Sequence, residues 1–173
     1  MEMWQLRETA NWVNLSTPAG LALAWLGRAE ISRGPHGLRL ATGYGLGFPV
    51  ATAFTVGSVV LTRRSPGWLE ERPHLLAHEE RHASQYAMCG GLPFIPLYLL
   101  ATAYSQWKVG DRAAANVFER LAGLESGGYR TPTPDQVRAT KRARRQRGSA
   151  LAARFTRLAV WQRPRTVSLR ASR

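Results

Sequence analysis

The stretch Leu75-Leu76-Ala77-His78-Glu79-Glu80-Arg81-His82 decides how this 173-residue chain is read. Two histidines four positions apart lie one above the other on the same face of an α-helix, close enough for both imidazoles to grip a single ion. A carboxylate next to the first of them projects beside that ion rather than onto it, where it can take a proton from a metal-activated water. The spacing therefore assigns His78 and His82 as zinc ligands and Glu79 as general base. His74 continues the four-residue step, but eight residues of helix rise about 12 Å, more than one ion can bridge. His74 is read as a surface or neighbouring residue, because pairing it with His78 would leave Glu79 without a role. The bland alternative is a solvated helix whose histidines hold nothing.

Outward from the motif, Pro73 suits a helix start and Gly90-Gly91 a stop, which predicts a helix over His74 to Met88. Upstream, Ser65-Pro66-Gly67 is a turn, and Leu38 to Arg63 is rich in Gly, Thr, Val and Phe. Alternation in Phe54, Val56, Ser58 and Val60 predicts two or three strands there. Ser16-Thr17-Pro18 opens an earlier helix that runs through Ala29 and is broken at Gly34-Pro35. Downstream, a helix begins after Pro96, covers the segment to Trp107 and closes at Gly110. Asp111 is read as the N-cap of a last helix through Leu124, ended by Gly127-Gly128. The expected fold class is α+β, a small β-sheet followed by the motif helix and two further helices.

A catalytic zinc takes three protein ligands and leaves a fourth position for water. No histidine follows His82, so the third ligand must be a carboxylate, with Asp111, Glu119, Glu125 and Asp135 as candidates. Glu119 is best placed, since Phe118 and Leu121 can pack and the small Ala122 lets helices approach, whereas Glu125 abuts the glycine stop. The competing reading of Glu119 is a surface carboxylate paired with Arg112 or Arg120.

The combination His78-Glu79-x-x-His82, Gln85 three residues on, and Glu119-x-x-Ala122 on a later helix resembles the gluzincin metallopeptidases. It is more similar still to small bacterial zincin-like domains that pair HExxHxxQ with a helix carrying Glu-x-x-Ala, over roughly Phe54 to Tyr129. The resemblance implies a zincin-like fold, Zn2+ held by His78, His82 and Glu119, and Glu79 as catalytic base of a hydrolase acting on a peptide or protein substrate. Phe118 stands where larger gluzincins often have Asn, and their substrate-binding strand and oxyanion donor have no matching motif. Tyr86 and Tyr129 are candidate donors whose alternative role is packing.

The net charge of +13 is not spread evenly. Residues 1–129 are nearly neutral at +1, whereas 130–173 carry +12, and Thr131-Pro132-Thr133-Pro134 marks a boundary. The expected organisation is a domain over 1–129 and a basic tail over 130–173, flexible or partly helical. The tail holds Lys141 to Arg147 and a more apolar stretch from Leu151 to Trp161. It is read either as solvated or as a tether to anionic lipid, with sequence-neutral nucleic-acid contact a weaker option.

Ala83 to Trp107 contains no charged residue, but Ser84, Gln85, the glycine pair, Pro93, Pro96 and Gln106 interrupt it. That favours a core or interfacial segment over a span, and the partner it suggests is an anionic membrane surface met by Leu92–Trp107 together with the tail. Cys89, the single cysteine, excludes an intrachain disulfide and a cysteine-based zinc cluster. Glu2, Arg7 and Glu8 ahead of the apolar run Ala19–Leu26 argue against a cleaved signal peptide, and the expected location is cytoplasmic, peripheral on the inner membrane face. The rival to a hydrolase is a non-catalytic membrane- or nucleic-acid-associated protein whose metal site is structural or vestigial.

Overall fold

The computed structural model describes residues 2–49 and 51–146. The chain separates into two units, Met1–Pro132 and Thr133–Arg173. The first is mixed α and β, as expected. Its helices are α1 (Met3–Val13), α2 (Ser16–Leu26), α3 (Pro73–Met88), α4 (Phe94–Val109) and α5 (Val117–Ala122), and its strands are β1 (Glu30–Arg33), β2 (Arg39–Thr42), β3 (Ala53–Val56) and β4 (Val59–Thr62). The sheet order is β1-β2-β4-β3, antiparallel except for the parallel β2–β4 pair.

Alternation along the strands builds a core on each face of the sheet. Leu40 and Val60 pack with Leu76 and Ala83 of α3, while Ala41, Val59 and Leu61 pack with Ala24 of α2. β3 and β4 form a hairpin turned at Gly57-Ser58, so the alternation expected to run from Phe54 to Val60 changes phase there. Phe54 and Val56 face α2, whereas Val60 faces α3. Thr55 pairs with Val60 across the hairpin, which places it on the α3 side. Gly57 has φ +62, and a Cβ on it would stand 2.3 Å from the backbone nitrogen of Thr17, so glycine is required where the hairpin tip meets α2.

α1 is not among the elements expected from the sequence. Its buried residues are Arg7 and Asn11. Arg7 pairs with Glu80 of α3 at 2.7 Å, and Asn11 donates to Ser58 Oγ at 3.2 Å and to the Ala83 carbonyl at 2.9 Å. Met3 and Val13 are each 78% exposed. The helix is polar inward, and its outward side carries Met3, Leu6, Trp12 and Val13 together with Gln5 and Thr9.

The last expected helix is corrected at its start. Asp111 is not its N-cap: Asp111 Oδ1 accepts from the backbone nitrogens of Ala113 and Ala114 and closes a turn, while Asn116 caps the six-residue α5 by accepting from Phe118 N at 2.9 Å. The turn is held because Ser105 Oγ, on α4, donates to the Asp111 carbonyl and accepts from Ala115 N. α4 itself starts before Pro96, which sits in its first turn, where a missing N–H is tolerated. α2 begins at Ser16 itself, after Leu15 in the left-handed region with φ 64.

In the second unit residues 134–146 are helical, with Thr133 and Gln136 exchanging side-chain-to-backbone hydrogen bonds as a capping box. The apolar stretch Leu151–Trp161 lies outside the described residues. No described helix is long and apolar enough to cross a membrane.

Candidate metal centre

α3 and α5 bring His78, His82 and Glu119 together, and the three are 2%, 7% and 1% exposed. His78 Nε2 lies 3.1 Å from His82 Nε2 and 3.3 Å from Glu119 Oε2, and His82 Nε2 lies 3.6 Å from the same oxygen. Ligands about 2.0–2.1 Å from a tetrahedral zinc stand about 3.3 Å from one another. The three edges fit that figure, and the group could hold a metal ion.

Proton placement sharpens the point. His78 Nδ1 lies 3.0 Å from the Gly123 carbonyl and 3.1 Å from that of Ala122. Carbonyl oxygens only accept, so Nδ1 carries the proton and Nε2 of the neutral ring is a lone pair. His82 Nδ1 is 2.8 Å from Gln85 Oε1, and Gln85 is oriented by its own amide, which donates to the Phe118 carbonyl at 2.9 Å. His82 Nε2 is therefore also a lone pair. Glu119 Oε1 accepts from the Tyr98 hydroxyl, while Oε2 has no hydrogen-bond partner. Three lone-pair atoms converge with no proton among them, and such a cluster needs either a cation at its focus or an extra proton on one imidazole.

The charges respond accordingly. Burial alone pushes Glu119 up, but His78, His82 and Tyr98 outweigh it and hold the carboxyl at about 2. Burial lowers His82, yet Glu119 and Glu79 overcome this and raise it above its ordinary value. A bound cation would displace that proton.

Glu79 sits apart from the three. It is 4% exposed and is not a member of the converging group. Thr55 Oγ1 donates to its Oε2 at 2.7 Å. Burial pushes its carboxyl up, and the pull of His82, Thr55 and His78 in the other direction does not reverse this. A carboxylate raised from its usual range beside a candidate metal position is suited to exchanging protons.

Supporting residues come from three elements. Phe94 and Tyr98 of α4, Tyr86 of α3 and Phe118 of α5 form an aromatic wall behind His82, with Phe94 4.5 Å from Tyr86 and 5.0 Å from Phe118 between ring centres. Arg81 Nη1 donates to the Ala122 carbonyl at 2.7 Å and fixes the end of α5 on α3. The following loop covers His78: a Cβ on Gly127 would stand 2.5 Å from its Cε1, and the Tyr129 ring centre lies 6.1 Å from that of His78.

His78, His82 and Glu119 are thus brought together, with Glu79 alongside. Asp111 is tied to its turn, Glu125 is exposed on the loop, and Asp135 belongs to the second unit. His74 is exposed, in keeping with its surface reading. Tyr86 is buried against Phe94, and Tyr129 lies beside His78. Thr55, Tyr98 and Gly127 have no role at the site in the sequence reading, which takes Gly127 only as part of a helix stop. Only Tyr98 had a signal, being the hydroxyl one turn after the buried Phe94 in an otherwise apolar run. Comparison with protein-family models, with curated proteins and with solved structures gives no match.

Proposed function

We propose that this chain is a zinc-dependent hydrolase that cleaves peptide bonds, with His78, His82 and Glu119 as ligands and Glu79 as general base. The observation that carries the reading is the convergence of three lone-pair atoms at 3.1–3.6 Å, each ligand's other polar atom being already bonded. Two imidazoles and one carboxylate suit zinc, and three protein ligands leave a place for water. Zinc in such a site supplies Lewis acidity, making a water acidic near neutral pH and polarising a carbonyl.

The chain's own residues do the rest. Thr55 pins one oxygen of Glu79, so the carboxylate keeps a fixed direction from which to accept a proton and return it to the leaving amine. Tyr98 and Gln85 orient Glu119 and His82. β3 is an edge strand and carries Thr55, so an extended peptide added along its outer edge would run beside Glu79. This geometry favours a polypeptide as substrate.

The test is elemental analysis of the full chain purified without a metal column, paired with cleavage of a denatured casein substrate. The expected result is about one zinc per chain, with Glu79→Gln keeping the zinc and losing cleavage. Wild-type cleavage by Glu79→Gln would remove the general-base assignment. A second reading, a structural or vestigial metal site in a non-catalytic protein, is favoured by the burial of all four site residues. It predicts bound zinc that exchanges slowly and no cleavage by any variant.

A further inference from the structure

We infer that the outward face of α4, continued across the α1–α2 corner, is a docking surface for an anionic lipid bilayer. This inference does not depend on the hydrolase reading. α4 uses one face inward, through Phe94, Tyr98, Thr102 and Ser105, to hold α5 and its loop. Its other face carries Leu99 and Leu100, 58% and 69% exposed. A helix apolar on every side is normally buried on every side, in a core or in lipid.

The patch does not stop at α4. Asn14, between α1 and α2, lies against Gly91, where a Cβ would stand 2.7 Å from Asn14 Cγ. Exposed Val13 and Leu15 flank that contact in sequence on one side, and exposed Met88 and Leu92 on the other. α1 adds to this by turning Arg7 and Asn11 inward and its apolar residues outward. Exposed large apolar side chains gathered on neighbouring elements mark a candidate interaction site.

Three observations select a bilayer over a second copy of the chain. Residues 130–173 carry a net +12, which an anionic surface neutralises and a second, equally basic chain would oppose. Ala83 to Trp107 holds no charge, and the first one, Lys108, lies at the C-terminal end of α4, its Nζ 5.2 Å from the Tyr104 ring. An aromatic and a lysine closing an apolar helix is the pattern of an interfacial anchor. Finally, sixteen residues of helix extend about 24 Å, short of a bilayer core, so α4 would lie along the surface rather than cross it. Tyr98, on the inner face, touches Glu119, so docking would leave one helix between the lipid and the His78–His82–Glu119 cluster.

The test uses the full chain with vesicles of phosphatidylcholine alone or with about one part in four phosphatidylglycerol, at about 0.05 M and about 0.5 M salt. Wild type should float with the anionic vesicles, and brominated lipid should quench tryptophan emission, with a smaller quenched fraction in Trp107→Phe because Trp12 and Trp25 on the α1–α2 corner remain. The paired exposed substitutions Leu99→Ser and Leu100→Ser should keep the melting temperature and weaken partitioning about tenfold or more. Three results would overturn the inference. Wild type could fail to float at low salt. The double variant could float and be quenched like wild type, so that the basic segment alone adsorbs. Sedimentation could show a dimer that the double variant splits while flotation is unchanged, assigning the face to a second copy.

Discussion

Glu79 at the α3–β3 end of the site and Glu119 at its α5 end are almost equally buried, yet their environments drive them in opposite directions. Glu119 faces two imidazoles and the Tyr98 hydroxyl and is held at about 2. Glu79 has one hydroxyl, Thr55, and burial pushes it up. Both imidazoles favour the ionised form of each carboxyl; burial outweighs them at Glu79, whereas at Glu119 the direct contacts of His78, His82 and Tyr98 outweigh burial. A carboxylate ionised at every working pH suits a ligand, and one raised from its usual range suits proton exchange.

That contrast can be broken most directly with a pair of variants. Glu119→Ala should weaken metal binding at least about a hundredfold, while Glu79→Ala leaves metal content near wild type, read by equilibrium dialysis and elemental analysis. Equal losses in the two would erase the division of labour. Tyr98→Phe removes one donor from Glu119 and nothing from Glu79. Metal affinity should fall about 10–100-fold in a competitive chelator titration.

Gly127→Val acts on the α5 end through packing, since the new side chain would press on the His78 ring. It should lower stability by about 1–3 kcal/mol in denaturant unfolding and loosen the metal. The smallest effect is expected at the other end. Thr55→Val removes the donor that favours the ionised Glu79, so its carboxyl should rise further. A base works only when ionised, so the acid limb of any pH–rate profile should move to higher pH, with metal content unchanged.

These particular residues also show what a sequence can and cannot disclose. His78, Glu79 and His82 were legible because helix spacing alone fixes their relation, and Glu119 because no other carboxylate lay in a packable helix. Thr55 was not, because its reach to Glu79 depends on the pairing of β3 with β4 across the turn at Gly57-Ser58, which puts it on the α3 side. Gly127 was hidden for a similar reason: as a glycine it reads as a stop, and only the fold places it against an imidazole. α1 escaped hydrophobic periodicity because its buried face is Arg7 and Asn11, satisfied by Glu80, Ser58 and the Ala83 carbonyl. The last helix was overextended because Asp111 has the chemistry of a cap and spends it on a turn. The sheet was read as present, but β1 and the parallel pairing of β2 with β4 rest on contacts between distant segments.

The dependence of His82 on Gln85, and of Gln85 on the Phe118 carbonyl, has a consequence for synthesis on the ribosome. When α3 emerges, the amide that later steers His82 still has no acceptor to fix it, and the carboxylate is not yet made. An ion met at that moment would find two unsteered rings and no third ligand. On the proposed reading, durable loading would wait until α5 has cleared the exit tunnel and closed on α3, and metal capture would be one of the last events in the maturation of this domain.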